Sequence, residues 1–458
     1  MLFRQLLHEP LSAASYLIGC EAAGTAVVVD PSLPAERYAL LAADRGLRIT
    51  AVLETHMHAD YVSTGRAVAA LTGARIYLPR LANACFPHTP IDDGWHLHIG
   101  SIQLLAIHTP GHTPEHVAFA VSSDNSEEPW FVLTGDCLFV GDVGRADLVD
   151  LPQSGPEALF ASLHRLLALP DLCEVYPTHY GGSACGGAGM SGKPASTIGH
   201  ERRNNSFLCT DLPTFKTMLA ETARTPVANV LHTRNINRGE HALPSDYGAL
   251  GAEIGDAAAF SLERAAAMVR DGVALLDIRD RMAFAAQYPR GALSATYSRT
   301  GLTERAAALT DPATPLLVIA DWPFLARYAA ELLRRTGRNP VVGFVDAPAD
   351  RWHEVAPTAY LATLSVDELH GEVKRGSQIV DVRAAHEQEQ GCIAGAFLIP
   401  LAEIRTRLEQ LSPERRTVVV CESGIRAVSA ASLLQSVGFS DVAAVAPEGM
   451  SKYCLHMK

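Results

Sequence analysis

The sequence predicts an α/β protein: an N-terminal α/β sandwich, then two smaller α/β modules that each carry a central parallel sheet. Three observations predict it. At 458 residues the chain is too long for one core and leaves room for two to four domains. Apolar strand-like runs alternate with helical stretches through the first half, and several of them end directly in His or Asp. The second half contains an internal repeat of about 100 residues.

Composition sets the outer limits. Hydrophobic residues make up 48% of the chain, as in a globular protein. Lys and Arg number 38 against 50 Asp and Glu, for a net charge of -12. That balance argues against a nucleic-acid or anionic-membrane partner, because both reward basic patches. No apolar run approaches the roughly 20 residues that span a bilayer. In "MLFRQLLHEPLSAASYLIG" the residues Gln5, His8 and Glu9 interrupt what would be a signal peptide's apolar core, so a cytoplasmic location is expected. Nine cysteines, an odd number without a CxxC pair, suit a reducing compartment better than a disulfide framework.

In chain order, the strands of the first half are "TAVVVD", "ITAVLE", "IQLLAIH", "WFVLTGD" and "LCEVYPTH", with a helix over Glu157 to Ala168. A Gly-rich loop, "GGSACGGAGMSGK", follows His179, and "ERRNNSFL" resumes helical character. In the second half "VALLDIRD" is echoed by "SQIVDVRA". Asp277 and Asp381 lie 104 residues apart (381 − 277), as do Gly291 and Gly395. Each copy continues with an apolar strand ("PLLVIAD", "TVVVCES"), an Ala- and Leu-rich helix, and Gly337 or Gly438. The domains expected are residues 1–245, 246–355 and 361–458.

The stretch "ETHMHADYVSTG" packs His56, His58 and Asp60 onto a loop that leaves a strand. Downstream come His112 in "HTPGHTPEH", Asp136 in "LTGDCLF" and His179 in "YPTHYGG". Imidazoles mixed with a carboxylate are the ligands that hold Zn or Fe. His96 and His98 in "WHLHIG" alternate on a strand with no strand-end Asp nearby and read as ordinary strand residues.

These motifs resemble the metallo-β-lactamase superfamily, whose signature is HxHxDH followed by a distant His, a bridging Asp and a last His. The resemblance covers roughly residues 1 to 245 and implies an αββα sandwich. Its dinuclear hydrolases bind a second metal through the final His of HxHxDH. Tyr61 stands there, and a neutral phenol is a poor ligand, so the second site is expected to be weak or absent. A bland role for Tyr61 is to fill the vacated volume. "GHTPEH", "TGDCLFVGDVGRADL" and "GGSACG…STIGHERR" look like the persulfide dioxygenase branch, in its bacterial fusions with rhodanese domains. That resemblance implies one Fe(II) per chain, held by His56, His112 and Asp136. His58, Asp60, Tyr61, His179, Tyr180 and Cys185 would then orient the ligands or face the substrate. A 2-His-1-carboxylate triad leaves coordination positions open, which dioxygen and a persulfide sulfur both need. The same family carries a cysteine in the "GSACG" context near the iron; Cys185 reads equally as a buried thiol that supports a tight loop. Arg202 and Arg203 are candidates for a substrate carboxylate.

"CESGIRA" falls between a buried strand and a helix, so the N–H groups of Glu422, Ser423, Gly424 and Ile425 can cradle an anionic sulfur on Cys421. The motif resembles the CxxGxR loop of rhodanese sulfurtransferases, which implies roles for Cys421 and Arg426; Ala427 and "APEGM" depart from that family's usual Ser and Gly-Gly-Met. In the middle copy the strand runs into Asp321 where the cysteine is expected, and residues 246–355 contain no cysteine. That copy reads as a silent rhodanese-like module.

Together the resemblances imply a persulfide dioxygenase that oxidises a small thiol persulfide with O₂ to sulfite and thiol. Cys421 would move sulfane sulfur to or from sulfite and thiosulfate. The expected partners are those small molecules and further copies of the chain in a homo-oligomer. The alternatives are a zinc thioester hydrolase of the glyoxalase II kind and a non-enzymatic sulfur carrier.

Overall fold

Residue alternation along the strands decides the N-terminal architecture. The computed structural model describes every residue except 124–125, 127, 148–153, 182, 184, 188, 222–229, 242–256, 299–300, 390 and 457–458. The boundary expected at 245/246 lies outside the described residues. Two compact units result, one with the elements from Leu2 to Arg238 and one with those from Ala259 to His456.

In the first unit, Leu2–His8 (β1), Ala13–Cys20 (β2), Thr25–Val29 (β3), Arg48–Leu53 (β4), Arg75–Pro79 (β5) and Thr89–Ile91 (β6) form a sheet in that order. From β3 to β6 the pairing is parallel, which requires crossovers. Helices Ala35–Ala43 (α1) and Gly65–Thr72 (α2) supply two of them. The second sheet comprises His96–Ile99 (β7), Ile102–His108 (β8), Val117–Ser123 (β9), Phe131–Gly135 (β10), Glu174–Pro177 (β11) and Ser196–Thr197 (β12), in reverse order.

Side chains two apart share a sheet face. Tyr16, Ile18, Val27, Val29, Ala51 and Leu53 therefore meet Leu104, Ala106, Phe119, Val121 and Leu133 between the sheets. The opposite faces are just as apolar. Leu17, Val28 and Val52 pack on Tyr38 of α1 and Val68 of α2. Ala118, Val132 and Val175 are covered by Leu159, Leu163 and Leu166 of Pro156–Leu167 (α3) and by Ile198, Phe207 and Phe215. The result is the αββα sandwich, and burying each large aliphatic contributes about 1.5–3 kcal/mol. Ile198–Asn204 (α4), Leu212–Glu221 (α5) and Val230–Arg238 (α6) complete the unit.

In the second unit, Ala259–Phe260 (β13), Ala274–Asp277 (β14), Leu293–Ser294 (β16), Leu316–Ile319 (β17) and Val341–Val345 (β18) pair in the order β13-β18-β17-β14-β16. Ala362–Leu364 (β20), Gln378–Asp381 (β21), Phe397–Leu398 (β22), Thr417–Val420 (β23) and Val442–Val445 (β24) repeat that order as β20-β24-β23-β21-β22. Both sheets are parallel throughout. Tyr288–Pro289 (β15) and Thr358–Ala359 (β19) form a separate antiparallel pair. The helices are Leu262–Arg270 (α7), Arg281–Ala286 (α8), Leu302–Leu309 (α9), Pro323–Thr336 (α10), Val366–Arg375 (α11), Ala385–Glu389 (α12), Ile425–Ser436 (α13) and Met450–His456 (α14).

The sequence repeat has a physical basis. Asp277 and Asp381 are fully buried at the ends of β14 and β21, and each takes a two-pronged ion pair from the arginine two residues on, Arg279 and Arg383. Each arginine also caps a downstream carbonyl, Gln287 in one copy and Gly391 in the other. The register corrects one expectation. Ile319 lies opposite Asp277 as Val420 lies opposite Asp381, so Ala320, not Asp321, occupies the place of Cys421. Ala349 N–H bonds the Ala320 carbonyl as Met450 N–H bonds that of Cys421. Asp321 instead matches Glu422, at 3.9 Å from Arg279 where Glu422 is 3.8 Å from Arg383. Sequence spacing does not fix register by one residue; the middle loop lacks a thiol either way. Among the described residues, no helix is long and apolar enough to cross a membrane.

Candidate metal centre and sulfur loop

Strand ends gather the polar residues of the first unit. β4 delivers His56, His58 and Asp60, the β8–β9 turn delivers His112, β10 delivers Asp136 and β11 delivers His179. His56, His112 and Asp136 each aim one ligand atom at a common point, all within 4.8 Å of one another. His56 Nε2 lies 3.7 Å and His112 Nε2 3.5 Å from Asp136 Oδ2. All three atoms are buried and have no hydrogen-bond partner, which is costly unless something else binds them.

The other side of each ligand is fixed. The Thr55 hydroxyl gives its proton to Asp30 Oδ2 at 2.9 Å, so at 3.0 Å it accepts from His56 Nδ1 and leaves Nε2 bare. His112 Nδ1 donates to the Arg145 carbonyl at 2.8 Å, with the same effect. Burial holds the pKa of both imidazoles below the usual histidine range. Burial pushes Asp136 the other way, but His179 outweighs it and keeps the carboxyl well below the carboxylate range. Two neutral imidazoles and one carboxylate are a donor set that fits a divalent cation.

Around this centre the structure brings the remaining site residues together in two groups. His179 stands between carboxylates, Nδ1 at 2.8 Å from Asp136 Oδ1 and Nε2 at 2.8 Å from Asp60 Oδ2. Burial disfavours its charge, yet Asp136 and Asp60 raise its pKa to about 10. Cys185 Sγ joins Asp60 and His179 within 4.8 Å, and burial pushes the pKa of this thiol up. Tyr180 is buried beside them, its N–H on the Ser12 carbonyl. His58 turns elsewhere. Its Nε2 lies 3.3 Å from both Asp30 Oδ1 and Glu54 Oε2. The Tyr61 ring stacks on His58 at 4.4 Å, with its hydroxyl 3.1 Å from Nε2.

Arg202 and Arg203 do not reach the site: both pair with Asp171. His96 is exposed on β7 beside Gln103. Residues that sequence reasoning missed hold the ligands from outside. Asp30 accepts from Thr55 and Thr178. His116 Nε2 accepts the Asp136 N–H at 2.9 Å. Glu115 takes both Nη2 contacts of Arg234 on α6 and the Met57 N–H, while Asn237 clamps the carbonyls of His58 and Tyr61. Asp30, closing "TAVVVD", and Glu115, inside "GHTPEH", had a signal in the strand-end pattern; Arg234 and Asn237 had none.

In the second unit Cys421 is fully buried at the end of β23. The N–H groups of Gly424 and Ala427 donate to its sulfur at 3.1 and 3.3 Å. Of the four loop residues expected to cradle the sulfur, Gly424 donates to the thiol sulfur itself. Gly424 has φ 84, a conformation glycine adopts freely. Arg426 is tied to Glu387 at 2.5 and 2.7 Å, a partner sequence reasoning missed.

The metallo-beta-lactamase superfamily model matches residues 8–179, and the rhodanese-like domain model matches residues 365–456. Mitochondrial persulfide dioxygenase ETHE1 of Bos taurus is 33% identical over 211 residues, 45% of this chain and 76% of that protein. The Homo sapiens protein of the same name is 34% identical over 212 residues, with the same shares. Hydroxyacylglutathione hydrolase of Prochlorococcus marinus (strain NATL1A) is 31% identical over 159 residues, 34% of this chain and 60% of that one. A solved metallo-beta-lactamase from Staphylococcus aureus subsp. aureus COL covers 76% of this chain and 98% of its own, at 26% identity and a TM-score of 0.63. The chain therefore belongs to the persulfide dioxygenase family of the metallo-beta-lactamase superfamily and carries a rhodanese-like domain over residues 365–456.

Proposed function

We propose that the chain is a two-activity sulfur enzyme: a persulfide dioxygenase, residues 1–245, a silent rhodanese-like module, residues 246–355, and a sulfurtransferase, residues 361–458. The observation that carries this reading is the set of three buried, partnerless ligand atoms on His56, His112 and Asp136. Ferrous iron bound there would supply the redox chemistry that dioxygen requires, with positions left open for a sulfur anion. The protein's own residues do the rest. Thr55 and the Arg145 carbonyl hold the two imidazoles in the Nδ1–H tautomer. His179 turns the Asp136 carboxylate by its second oxygen and sets its other nitrogen 2.8 Å from Asp60 Oδ2. The products are sulfite and the free thiol.

At the second centre the N–H groups of Gly424 and Ala427 stabilise negative charge on the Cys421 sulfur, first as thiolate and then as persulfide. Sulfite from the first reaction is a natural acceptor there, giving thiosulfate. Oxygen uptake with glutathione persulfide after anaerobic loading with Fe(II) tests the first activity. Uptake no greater than in the metal-free control would sink it.

A further inference from the structure

We propose that the cleft between the middle module and the C-terminal domain binds a nucleotide-type anion, its flat ring on Tyr360 and its phosphate on Arg290. The cleft measures about 710 Å³, within the range of small-molecule sites, which favour the junctions between domains. The middle module contributes Tyr288 and Arg290 to the lining, the C-terminal domain contributes Arg416, Gln435 and Ser440, and the segment that joins them contributes Tyr360. The two sides are held together here by the Tyr288 hydroxyl on Gln435 and by the pairing of β15 with β19.

Strand direction separates this cleft from Cys421. Arg416 precedes β23, Ala362 opens β20 and Val442 opens β24, so the lining belongs to the N-terminal ends of parallel strands. Cys421 follows the C-terminal end of β23. The extended chain from Arg416 to Cys421 spans about 16 Å. Parallel α/β sheets place their usual ligands at the C-terminal ends. The cleft is therefore a separate place for a ligand and not an extension of the sulfur loop.

The lining decides the chemistry of the ligand. It holds two arginines against one aspartate, Asp441, in a chain of net charge -12. Asp441 is matched by Arg416, which also lies 3.5 Å from Glu372. The Arg290 guanidinium makes no hydrogen bond or ion pair with a described residue; its backbone N–H alone is used, on the Pro357 carbonyl. A guanidinium at liberty in a cleft offers paired N–H donors to a phosphate. Tyr360 is 75% exposed, and among the described residues no other ring packs on it. A bare aromatic face is a platform for a flat base, whatever its sequence of donors and acceptors. The amide nitrogen of Gln435, whose oxygen takes the Tyr288 hydroxyl, and the Ser440 hydroxyl are left for sugar and base edges. A neutral ring compound would leave Arg290 idle, and inorganic phosphate would leave Tyr360 idle.

The test is calorimetric titration of the full-length chain with ADP, beside adenosine, which lacks the phosphates, and pyrophosphate, which lacks the ring. ADP is expected to saturate a single site per chain, with adenosine and pyrophosphate each at least about tenfold weaker. Arg290→Glu should weaken ADP binding at least about tenfold, and Tyr360→Ala at least about fivefold. Both side chains are exposed, so both variants keep the fold. An ADP titration without saturable binding overturns the assignment, and so does an affinity that neither substitution changes. Pyrophosphate bound as tightly as ADP overturns it too, because the ring then contributes nothing.

Discussion

His179 is the residue on which the first centre turns. One nitrogen fixes the rotation of the Asp136 carboxylate, and the other lies 2.8 Å from Asp60 Oδ2. His179→Gln should therefore weaken metal binding about 10–100-fold, as loss of a ligand's supporting partner does. Competition against a chelator of known affinity measures it, and unchanged affinity would show that Asp136 needs no such support. His56, His112, Asp136 and His179 were legible in the sequence because each follows an apolar strand, and chemistry at strand ends leaves a recognisable pattern. Thr55 and His116 were not. They stand one and four residues from ligands, and only the fold reveals that a hydroxyl and a ring nitrogen hold those ligands in place.

Elements act by clamping loops. Helix α6 holds the metal-bearing loop through Arg234 on Glu115 and through Asn237. Both members of the ion pair are at most 4% exposed, so Arg234→Ala leaves a buried carboxylate unpaired and should cost about 3–5 kcal/mol. Denaturant unfolding of the variant checks that figure; a loss under about 1 kcal/mol would mean water reaches Glu115. In the second unit a Cβ at Gly449 would run into the carbonyl oxygens of Cys421 and Glu422. Gly449→Ala should lower sulfur transfer at least about tenfold while oxygen uptake holds, since the cradle must shift to admit the methyl group. Equal loss of both activities would point to general unfolding.

The Glu387–Arg426 pair has a pH signature. Burial raises the Glu387 pKa, but Arg426 outweighs it and the net shift is downward. A depressed folded pKa contributes stability that is present above the ordinary value of about 4.3 and is lost as pH falls below it. The urea midpoints of wild type and Glu387→Gln should thus differ most near neutrality and converge in acid. Glu387 escaped the sequence reading because its partner lies 39 residues away on another helix.

At the scale of the whole molecule, the proposed function assigns two sulfur chemistries to separate units of one chain. Asp136→Ala should empty the first centre while Cys421 still takes up sulfane sulfur, and Cys421→Ser should do the reverse. Parallel assays of oxygen uptake and thiosulfate:cyanide transfer decide it, and loss of both functions in either variant would contradict the division. The αββα sandwich and the repeated parallel sheets were legible because alternation and the Asp-x-Arg clamp recur along the chain. What spacing left open was register, hence the displacement of Ala320 by one, and the packing of α9 on α13. The register depends on strands whose partners lie 42 residues apart (319 − 277), and the helix packing on segments more than a hundred apart.

Whether the first centre holds a single iron is decided by metal content and identity on protein purified without oxygen. One iron per chain, lost in His112→Ala, is the expected result. Two tightly held metals per chain, with Asp60, His179 and Cys185 needed for the second, would contradict it.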